Sequence, residues 1–450
     1  MNPFNNMLCG TFFGLLWSIL SSRVAMAIYF VLLFGSIAAM IISVLYLTTE
    51  KKQAKTPAKK EEKAEGKEEA EPGLKEETFT GALEIKDDDD ITSRFHTLVQ
   101  LDRAATRYVA PRYDQEITLP LICNHFRNYA ASALGLFYSE EDIRKFIAGL
   151  GVSHLMVMQG LSGTGKTSMA TAFGSYLQNP STVIPVQPMW KERSDIIGYF
   201  NEFTKRFSEG TLLKKLYEAR YTDEIYVIVL DEMNIARVEY YFADFLSQME
   251  LSPSNRYLEV VSDTWDDDPK LLNRGMLRIP ENAWFIGTAN NDDSTFAISD
   301  KVYDRAMLMN LDRKAEIFEP VRTDGDKISF SHFRKLVEDA KKKYSLSEEM
   351  NEKIRRVDEF LTSQFHITYG NRIRRQMEEY VPVYIACGGT ELEAVDDMLA
   401  KKVLRKLDGL SPVILRYSMN ALESIFETTF GLENMTLCRE SLERLRRLAM

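Results

Sequence analysis

An eight-residue stretch constrains the fold of this chain more than any other feature. The segment GLSGTGKT, Gly160–Thr167, matches the pattern GxxxxGK[ST] at every fixed position. It follows the apolar run 154–159, which is typical of a buried parallel strand, and it precedes residues 168–174, which suit a helix. Glycines in such a strand–loop–helix unit let successive backbone N–H groups point at phosphate oxygens, and the helix N-terminus adds its dipole. The sequence therefore predicts a phosphate-binding loop.

The side chains of this loop predict its chemistry. We expect Lys166 to reach the β- and γ-phosphates and the Thr167 hydroxyl to ligate Mg²⁺. The predicted nucleotide-contacting positions in the loop are Gly160, Ser162, Gly163, Thr164, Gly165, Lys166, Thr167 and Ser168.

Two acidic residues follow a second apolar run. Residues 225–230, IYVIVL, are typical of a buried strand, and Asp231 and Glu232 come directly after it. A carboxylate at the tip of a neighbouring strand can hold Mg²⁺ through water, which is the role predicted for Asp231. Glu232 is placed to polarise the attacking water as a general base. Together with the loop, this pair predicts a protein that binds and hydrolyses a nucleoside triphosphate.

A third apolar run, 283–288, also ends in polar residues. Asn290 lies just beyond it, where a polar side chain would sit between the two earlier strand tips and reach the γ-phosphate or its water. Asparagine also favours turns, so a turn cap is the alternative for this residue. Further on, Asp304 and Arg305 precede another apolar stretch, 306–309. Strands that alternate with helical segments predict an α/β fold with a parallel sheet.

These features together resemble the AAA+ ATPases, and within them the branch of McrB-like and MoxR-like proteins. The resemblance extends from Ser139 to Gly389 and more loosely over the tail. The segments that carry it beyond the loop are 186–190 (VQPMW, the strand-2 region), 194–201 (SDIIGYFN), 231–239 (DEMNIARVE), 285–290 (FIGTAN) and 369–373 (YGNRI). It implies a P-loop NTPase core, in which helices flank a parallel β-sheet, and a C-terminal helical lid.

The resemblance also implies roles for residues outside the loop. Asn290 resembles the sensor-1 residue, and Arg305 resembles the arginine finger that completes a neighbouring subunit's site. Arg372 resembles the nucleotide-contacting sensor-2 arginine of the lid, with Arg374 and Arg375 as competing candidates on the same stretch. Because a neighbour supplies the finger, the resemblance implies a homo-oligomeric ring, usually a hexamer in this family.

Some assignments stay open at this level. For Arg305, a surface salt bridge with Asp304 is the alternative. Ala289 stands where McrB-like proteins commonly carry Met, although Asn290 and Asp293 keep the usual spacing. No residue pattern reads the base, so ATP is expected because most AAA+ relatives use it, and GTP remains the alternative cofactor.

The beginning of the chain carries a membrane signal. Residues 24–47 contain no charged residue. At about 1.5 Å per residue, a helix of this length reaches about 36 Å, which exceeds the ~30 Å hydrocarbon core of a bilayer. Only Arg23 precedes the segment, whereas lysines follow at 51, 52, 55, 59 and 60, so the positive-inside rule places the rest of the chain in the cytoplasm. A single-pass membrane protein is predicted, with a cleaved signal peptide or a buried helix as the alternatives.

The predicted organisation has six parts. They are an N-terminal interfacial segment (1–23), the transmembrane helix (24–47), a charged flexible linker (48–90), a helical segment (91–150), the α/β nucleotide-binding core (151–325), and a helical lid with C-terminal helices (326–450). In the last part, the periodicity predicts helices over 333–344, 348–365, 371–386, 391–407 and 414–426.

Charge and cysteine usage exclude other classes of protein. The chain has 56 Lys and Arg against 66 Asp and Glu, a net charge of −10, which argues against coating nucleic acid by bulk electrostatics. Its four cysteines show no CxxC spacing and its five histidines no metal-binding pattern, so we expect neither a disulfide framework nor a zinc site.

The predicted function is that of a membrane-anchored AAA+ ATPase. Its ring would use ATP and Mg²⁺ to remodel or move an unidentified protein or nucleic-acid partner, with a separate activator chain as a further candidate partner. Two alternatives remain, namely a McrB-like GTP-hydrolysing motor subunit of a DNA-defence (restriction-type) system and a nucleotide-gated membrane scaffold. In the segment 198–207, we hypothesise that Phe203, Lys205 and Arg206 touch the partner, and simple packing of the aromatic residues is the alternative.

Overall fold

The computed structural model describes residues 82–85, 91–290, 295–313 and 315–449. The chain divides into two units, Met1–Lys75 and Glu76–Met450, and all described residues lie in the second. The predicted transmembrane helix, 24–47, lies outside the described residues, as do the segment before it and all of the linker except 82–85. None of the helices in the described part of the chain is long and apolar enough to cross a bilayer.

The strands form one large sheet and two small ones. In chain order they are β1 (Leu155–Gln159), β2 (Thr182–Pro185), β3 (Gly198–Asn201), β4 (Arg206–Glu209), β5 (Tyr226–Asp231), β6 (Tyr257–Glu259), β7 (Leu272–Asn273), β8 (Met276–Arg278), β9 (Ala283–Ala289) and β10 (Met307–Asn310). The large sheet is parallel throughout and has the order β10–β1–β9–β5–β2. This arrangement confirms the predicted α/β class with a parallel sheet.

Helices surround the sheet. In chain order they are α1 (His96–Ala105), α2 (Leu119–Leu134), α3 (Glu140–Leu150), α4 (Lys166–Tyr176), α5 (Arg193–Ile197), α6 (Thr211–Ala219), α7 (Val238–Tyr241), α8 (Ala243–Gln248), α9 (Asp300–Tyr303), α10 (Phe330–Lys343), α11 (Glu348–Phe365), α12 (Asn371–Ala386), α13 (Glu391–Met398), α14 (Pro412–Phe430) and α15 (Thr436–Ala449). Ser139 is the N-cap residue of α3, and its Oγ accepts a hydrogen bond from the Asp142 N–H at 3.0 Å.

The apolar strands are central because both of their faces are covered. Every residue of β9 is buried, as expected for a parallel strand between two layers of helices. Alternate residues of β1 enter two different cores: Met158 packs in the core that contains Phe173, and Val157 packs in the core that contains Phe245.

The second strand does not lie where the resemblance places it. Residues 186–190 were expected to be the strand-2 region, but β2 ends at Pro185. The N–H of Val186 still bonds the Asp231 carbonyl at 3.1 Å. Pro188 has no N–H to donate, so the ladder cannot continue through it.

The helices after residue 330 follow the predicted pattern with one exception. Helices α11 and α12 have the predicted bounds, whereas the predicted helix 391–407 is wrong beyond Met398. A π-helical turn, Leu399–Val403, follows α13, and a 3₁₀ segment, Leu404–Gly409, follows the turn. Both Lys401 and Lys402 are buried in this turn. A regular amphipathic helix rarely buries two adjacent lysines, which explains why the local winding changes.

The hairpin of β3 and β4 is one of the two small sheets, and β6–β8–β7 is the other. Phe207 in β4 is buried and stacks on Phe95, with 4.9 Å between the ring centroids. Phe203 at the hairpin tip is 99% exposed. Packing therefore accounts for Phe207 but not for Phe203.

Candidate nucleotide site and a separate arginine cluster

The loop between β1 and α4 lies at the carboxyl edge of the parallel sheet. Gly163 and Gly165 have φ values of 78° and 88°, in the left-handed region that favours glycine. A Cβ at Gly160 would come within 2.5 Å of the Leu311 carbonyl oxygen. Glycine at these positions lets the loop curl tightly beside the end of β10.

Lys166 begins α4 and is buried inside this curl. Its Nζ donates to the carbonyl oxygens of Gly160 and Leu161 at 2.9 and 2.7 Å. The Tyr138 hydroxyl donates to the Gly165 carbonyl at 3.4 Å, and burial raises the pKa of Tyr138, so this donor keeps its proton. The ammonium group is thus held within the loop, and its predicted contact with the β- and γ-phosphates stays a prediction.

The other predicted loop positions differ in their surroundings. Thr164 Oγ1 donates to the Leu161 carbonyl at 2.9 Å, which closes the loop on itself. Ser162 is exposed and Ser168 is partly buried in the first turn of α4. Their predicted contacts with nucleotide remain predictions.

Three oxygen-bearing side chains meet where α4, β5 and β9 come together. Thr167 Oγ1 and Thr288 Oγ1 both donate to Asp231 Oδ1, at 2.7 and 2.9 Å. Mg²⁺ prefers hard oxygen ligands and usually takes only one or two protein carboxylates, together with phosphate oxygens and waters. The hydroxyl of Thr167 and the carboxylate of Asp231 fit this ion.

Glu232 has an unusual backbone conformation beside this cluster. Its φ and ψ of 51° and 48° lie in the left-handed region, which is uncommon for a residue with a Cβ. The Glu232 N–H donates to Thr288 Oγ1 at 2.9 Å, and this bond holds the residue in place. The side chain is exposed. Strained residues of this kind cluster at functional sites, and this one directly follows Asp231 in the chain.

Asn290 lies at the same edge of the sheet, directly after β9. Its backbone carbonyl accepts bonds from Asn234 Nδ2 at 2.9 Å and Thr295 Oγ1 at 3.1 Å. The main chain at Asn290 is therefore held by two donors. Asp293 lies outside the described residues. The structure thus brings Asn290 to the edge that carries the loop, Asp231 and Glu232.

Arg305 lies at the opposite edge of the sheet, where the parallel strands begin. It precedes β10, and β10 runs parallel to β1, so Arg305 is near the beginning of both strands. Its carbonyl accepts a bond from Ser153 Oγ at 3.0 Å, and Ser153 precedes β1. Strand β10, which runs between these two ends of the sheet, spans about 13 Å at ~3.3 Å per residue. Arg305 is therefore separated from the phosphate-binding loop of its own chain.

Arg372 lies beside Arg305, and the structure does not bring it to the loop. Arg372 Nη2 contacts Glu250 Oε1 at 2.5 Å, and Arg305 forms an ion pair with the same oxygen. The alternative pairing of Arg305 with Asp304 is wrong, because Asp304 Oδ1 faces Lys406 Nζ at 3.5 Å. We call Arg305, Arg372 and Glu250 the arginine cluster.

The competing sensor-2 candidates make contacts within their own helix. Arg374 pairs with Glu378 at 3.1 Å, and Arg375 pairs with Glu379 at 2.9 Å, each one turn further along α12. Of the three sensor-2 candidates, Arg372 is thus the one that belongs to the arginine cluster.

Comparison with known proteins gives a partial picture. A family model described as a domain of unknown function, DUF8727, matches residues 321–450, and no curated protein matches the chain. Among solved structures, a candidate ATPase from Cytophaga hutchinsonii is 13% identical with a TM-score of 0.42, covering 68% of this chain and 96% of that one. A full-length MCM homologue from Methanopyrus kandleri is 12% identical with a TM-score of 0.36, covering 64% of this chain and 61% of that one. Neither likeness bears on function at these scores, so function has to be inferred from the residues themselves.

A cavity of about 690 Å³ opens beside the first residue of the loop. Gln159 and Gly160 line one side, Ser139 lines another, and Lys401 and Arg405 contribute from the C-terminal helices. The cavity therefore joins the phosphate-binding loop to the segment that the family model matches.

Three further residues of the site have no role predicted from the sequence. They are Thr288, Asn234 and Tyr138, which bond Asp231, Asn290 and Gly165 respectively. Thr288 and Asn234 lie in segments that carry the resemblance, and the hydroxyl of Thr288 stands out within an otherwise apolar strand. Asn234 and Tyr138 reach the site from elements whose position depends on the tertiary fold.

Proposed function

We propose that this chain is a Mg²⁺-dependent ATPase of the AAA+ type that works as a homo-oligomeric ring. The observation that carries the proposal is the convergence of Thr167 and Thr288 on Asp231 beside the glycine-rich loop. This arrangement joins a phosphate cradle, a pair of Mg²⁺ ligands and a neighbouring carboxylate at one edge of the sheet. A protein that only bound nucleotide would not need the strained Glu232 at that edge.

Each side chain has a task in phosphoryl transfer. When bound by Thr167 and Asp231, Mg²⁺ neutralises charge on the phosphate oxygens. The backbone of the loop and Lys166 orient the triphosphate. Glu232 accepts the proton of the attacking water, and Thr288 holds Asp231 and Glu232 in a fixed relation. Asn290 orients the water or the γ-phosphate.

The arginine cluster supports a shared active site. Arg305 and Arg372 lie at the edge of the sheet away from their own loop, so they are placed to serve a neighbouring protomer. A guanidinium that reaches the γ-phosphate from outside stabilises the charge that develops in the transition state. Glu250 would hold both arginines together until the neighbour's triphosphate replaces it. The hexameric number is taken from the family that the sequence resembles.

The nucleotide and the location complete the proposal. ATP is preferred over GTP on the same resemblance, and the cavity beside Gly160 offers room for the base and ribose. Residues 24–47 would anchor the chain in a membrane as a single span, with the catalytic part in the cytoplasm. The exposed Phe203 at the tip of the β3–β4 hairpin is a candidate contact for a protein or nucleic-acid partner.

The proposal is tested by two substitutions in the purified full-length protein. Glu232→Gln removes the general base, so ATP turnover is expected to fall by at least about 10²-fold, while binding of a fluorescent ATP analogue is retained. Arg305→Ala is expected to lower turnover by roughly 10³-fold, because it removes the cation that stabilises the charge of the transition state.

The outcomes separate this proposal from its alternatives. ATP and GTP turnover that are both insensitive to Glu232→Gln would favour a nucleotide-gated scaffold. Preferential hydrolysis of GTP, together with stimulation by DNA, would favour a motor of a DNA-defence system. An Arg305→Ala protein that hydrolyses ATP at the parent rate would overturn the shared site.

A further inference from the structure

The element that carries Arg305 is too short to orient itself. Helix α9 has only four residues, Asp300–Tyr303, and Arg305 follows two residues later. Helices of one turn have no stability in isolation, because nucleation costs more than their few hydrogen bonds return. The Arg305 guanidinium bonds the Lys301 carbonyl of this helix at 2.5 Å and pairs with Glu250. The position of the whole segment that carries Arg305 therefore depends on groups from other elements.

Lys402 bonds the backbone of this segment on both sides of Arg305. Its Nζ donates to the Tyr303 carbonyl oxygen at 2.6 Å and also to the Ala306 carbonyl oxygen. These carbonyls lie on either side of Arg305, and the Tyr303 carbonyl is among the backbone acceptors that the end of a helix leaves unsatisfied. A cation at this end also complements the helix dipole.

Other C-terminal residues hold the same short helix. The Arg405 guanidinium lies over the Tyr303 ring, 3.9 Å from its centroid, and pairs with Asp300 at 2.7 Å. Gln376 Nε2 donates to the Asp304 carbonyl at 3.1 Å. All of these donors, like Lys402, belong to the segment that the domain of unknown function matches.

The position of Lys402 is costly for stability. The side chain is 2% exposed, and burial lowers the pKa of Lys402 to about 7. Arg405, Lys406 and Arg372 lower this pKa as well, and Asp304 opposes them. An apolar residue of similar length would fill this space without the cost of desolvating an amine. A polar group kept at such a cost indicates a role other than packing.

We propose that Lys402 is a positioning residue through which the C-terminal helices aim Arg305 at the active site of the neighbouring protomer. The π-helical turn 399–403 brings the lysine inward, and the two carbonyl bonds fix the segment that carries the arginine. This inference rests on the proposed function, since it needs Arg305 to act across the interface. It assigns a task in hydrolysis to the domain of unknown function, which does not itself contain the phosphate-binding loop.

The test compares Lys402→Met with Arg305→Ala in mixed rings. Lys402→Met removes both carbonyl bonds but leaves the P-loop and Glu232 intact, so its turnover is expected to fall roughly 10²-fold, as for a misplaced catalytic group. Binding of a fluorescent ATP analogue should change less than about twofold, because the protomer's own loop is untouched. Lys402→Arg keeps a cationic donor and should retain part of the activity.

Mixing then shows where the defect lies. A Glu232→Gln protomer cannot hydrolyse ATP but still offers an intact Arg305 to its neighbour. Coexpression with Glu232→Gln should restore turnover to Lys402→Met protomers, as it should to Arg305→Ala protomers, which serve as the matched control.

The possible results are distinguishable. Restoration of Arg305→Ala but not of Lys402→Met would overturn the positioning role and leave the shared site intact. Failure to restore Arg305→Ala would instead count against the shared site itself. If Lys402→Met lowers the melting temperature, Arg405→Gln, at the partly exposed rim of the same contact, takes its place. Parent turnover in Arg405→Gln would then also overturn the inference.

Discussion

At the scale of single residues, the site depends on a hydroxyl to which the sequence assigned no role. Thr288 Oγ1 donates to Asp231 and accepts from the Glu232 N–H. It is 2% exposed, so water cannot replace it in either bond. One side chain thus joins Asp231 to Glu232, the proposed Mg²⁺ ligand and the proposed general base.

Thr288→Val tests this role with little change in shape. The substitution leaves the Glu232 N–H without its partner, and an unsatisfied buried donor costs about 1–3 kcal/mol. Because Asp231 and Glu232 also lose the hydroxyl that joins them, ATP turnover is expected to fall at least about tenfold, which corresponds to about 1.36 kcal/mol in the barrier. Steady-state kinetics at several Mg²⁺ concentrations measure the effect. Thr288→Ser keeps the hydroxyl and serves as the control, and equal rates for the valine and serine variants would contradict the role.

At the scale of elements, β1 and β9 are joined at their beginnings by a neutral histidine. His154 Nε2 bonds the Glu281 carbonyl at 2.8 Å, and the ring stacks on Trp284 with 5.2 Å between centroids. Burial and, to a smaller extent, the charge of Arg256 lower the pKa of His154 to about 4, against the opposing effect of the bond to the Glu281 carbonyl. The strand pair that carries the loop and Asn290 therefore contains an acid-sensitive contact.

This contact predicts a pH dependence of stability. Between pH 6.5 and about 4, the unfolded chain binds a proton at His154 while the folded chain does not, so the free energy of unfolding rises with pH across this window and is lost as the pH falls. His154→Gln keeps an N–H donor without a titrating ring. Urea unfolding at pH 7 and pH 4.5 should show a smaller acid loss in this variant than in the parent. An identical loss in both would assign the acid sensitivity to other groups.

At the scale of the whole molecule, catalysis as proposed needs more than one copy. The loop, Asp231 and Glu232 lie at one edge of the sheet, and the arginine cluster lies at the other. Each protomer so arranged offers its arginines to a neighbour and lacks arginines at its own nucleotide site. Every site is completed only by a repeated head-to-tail contact between protomers, and such a contact generates a ring when the rotation closes.

Assembly should therefore respond to nucleotide and metal. Glu232→Gln protein with ATP and Mg²⁺ is expected to form a closed oligomer, because bound triphosphate gives Arg305 of the next protomer an anionic partner in place of Glu250. Removal of Mg²⁺ with EDTA should shift the population to smaller species. Mass photometry of the detergent-solubilised protein measures both states. Monomers that hold nucleotide at all concentrations would contradict the model, and Arg305→Ala should assemble more weakly than the parent.

The sequence alone determined the parts of this protein that local pattern encodes. Periodicity predicts the strands, from apolar runs, and the bounds of α11 and α12. Residues with special backbone or ligand properties predict the glycine-rich loop and the acidic pair at the end of β5.

Tertiary structure decided the rest. Thr288 and Asn234 join the site only because β5 and β9 are neighbours. Arg372 lies beside Arg305 because α12 lies next to the segment that carries Arg305, where Gln376 bonds the Asp304 carbonyl. The helix predicted over 391–407 gives way to a π-turn in which Lys402 reaches two carbonyls nearly a hundred residues away in the chain. Contacts between distant segments depend on geometry that no window of sequence contains.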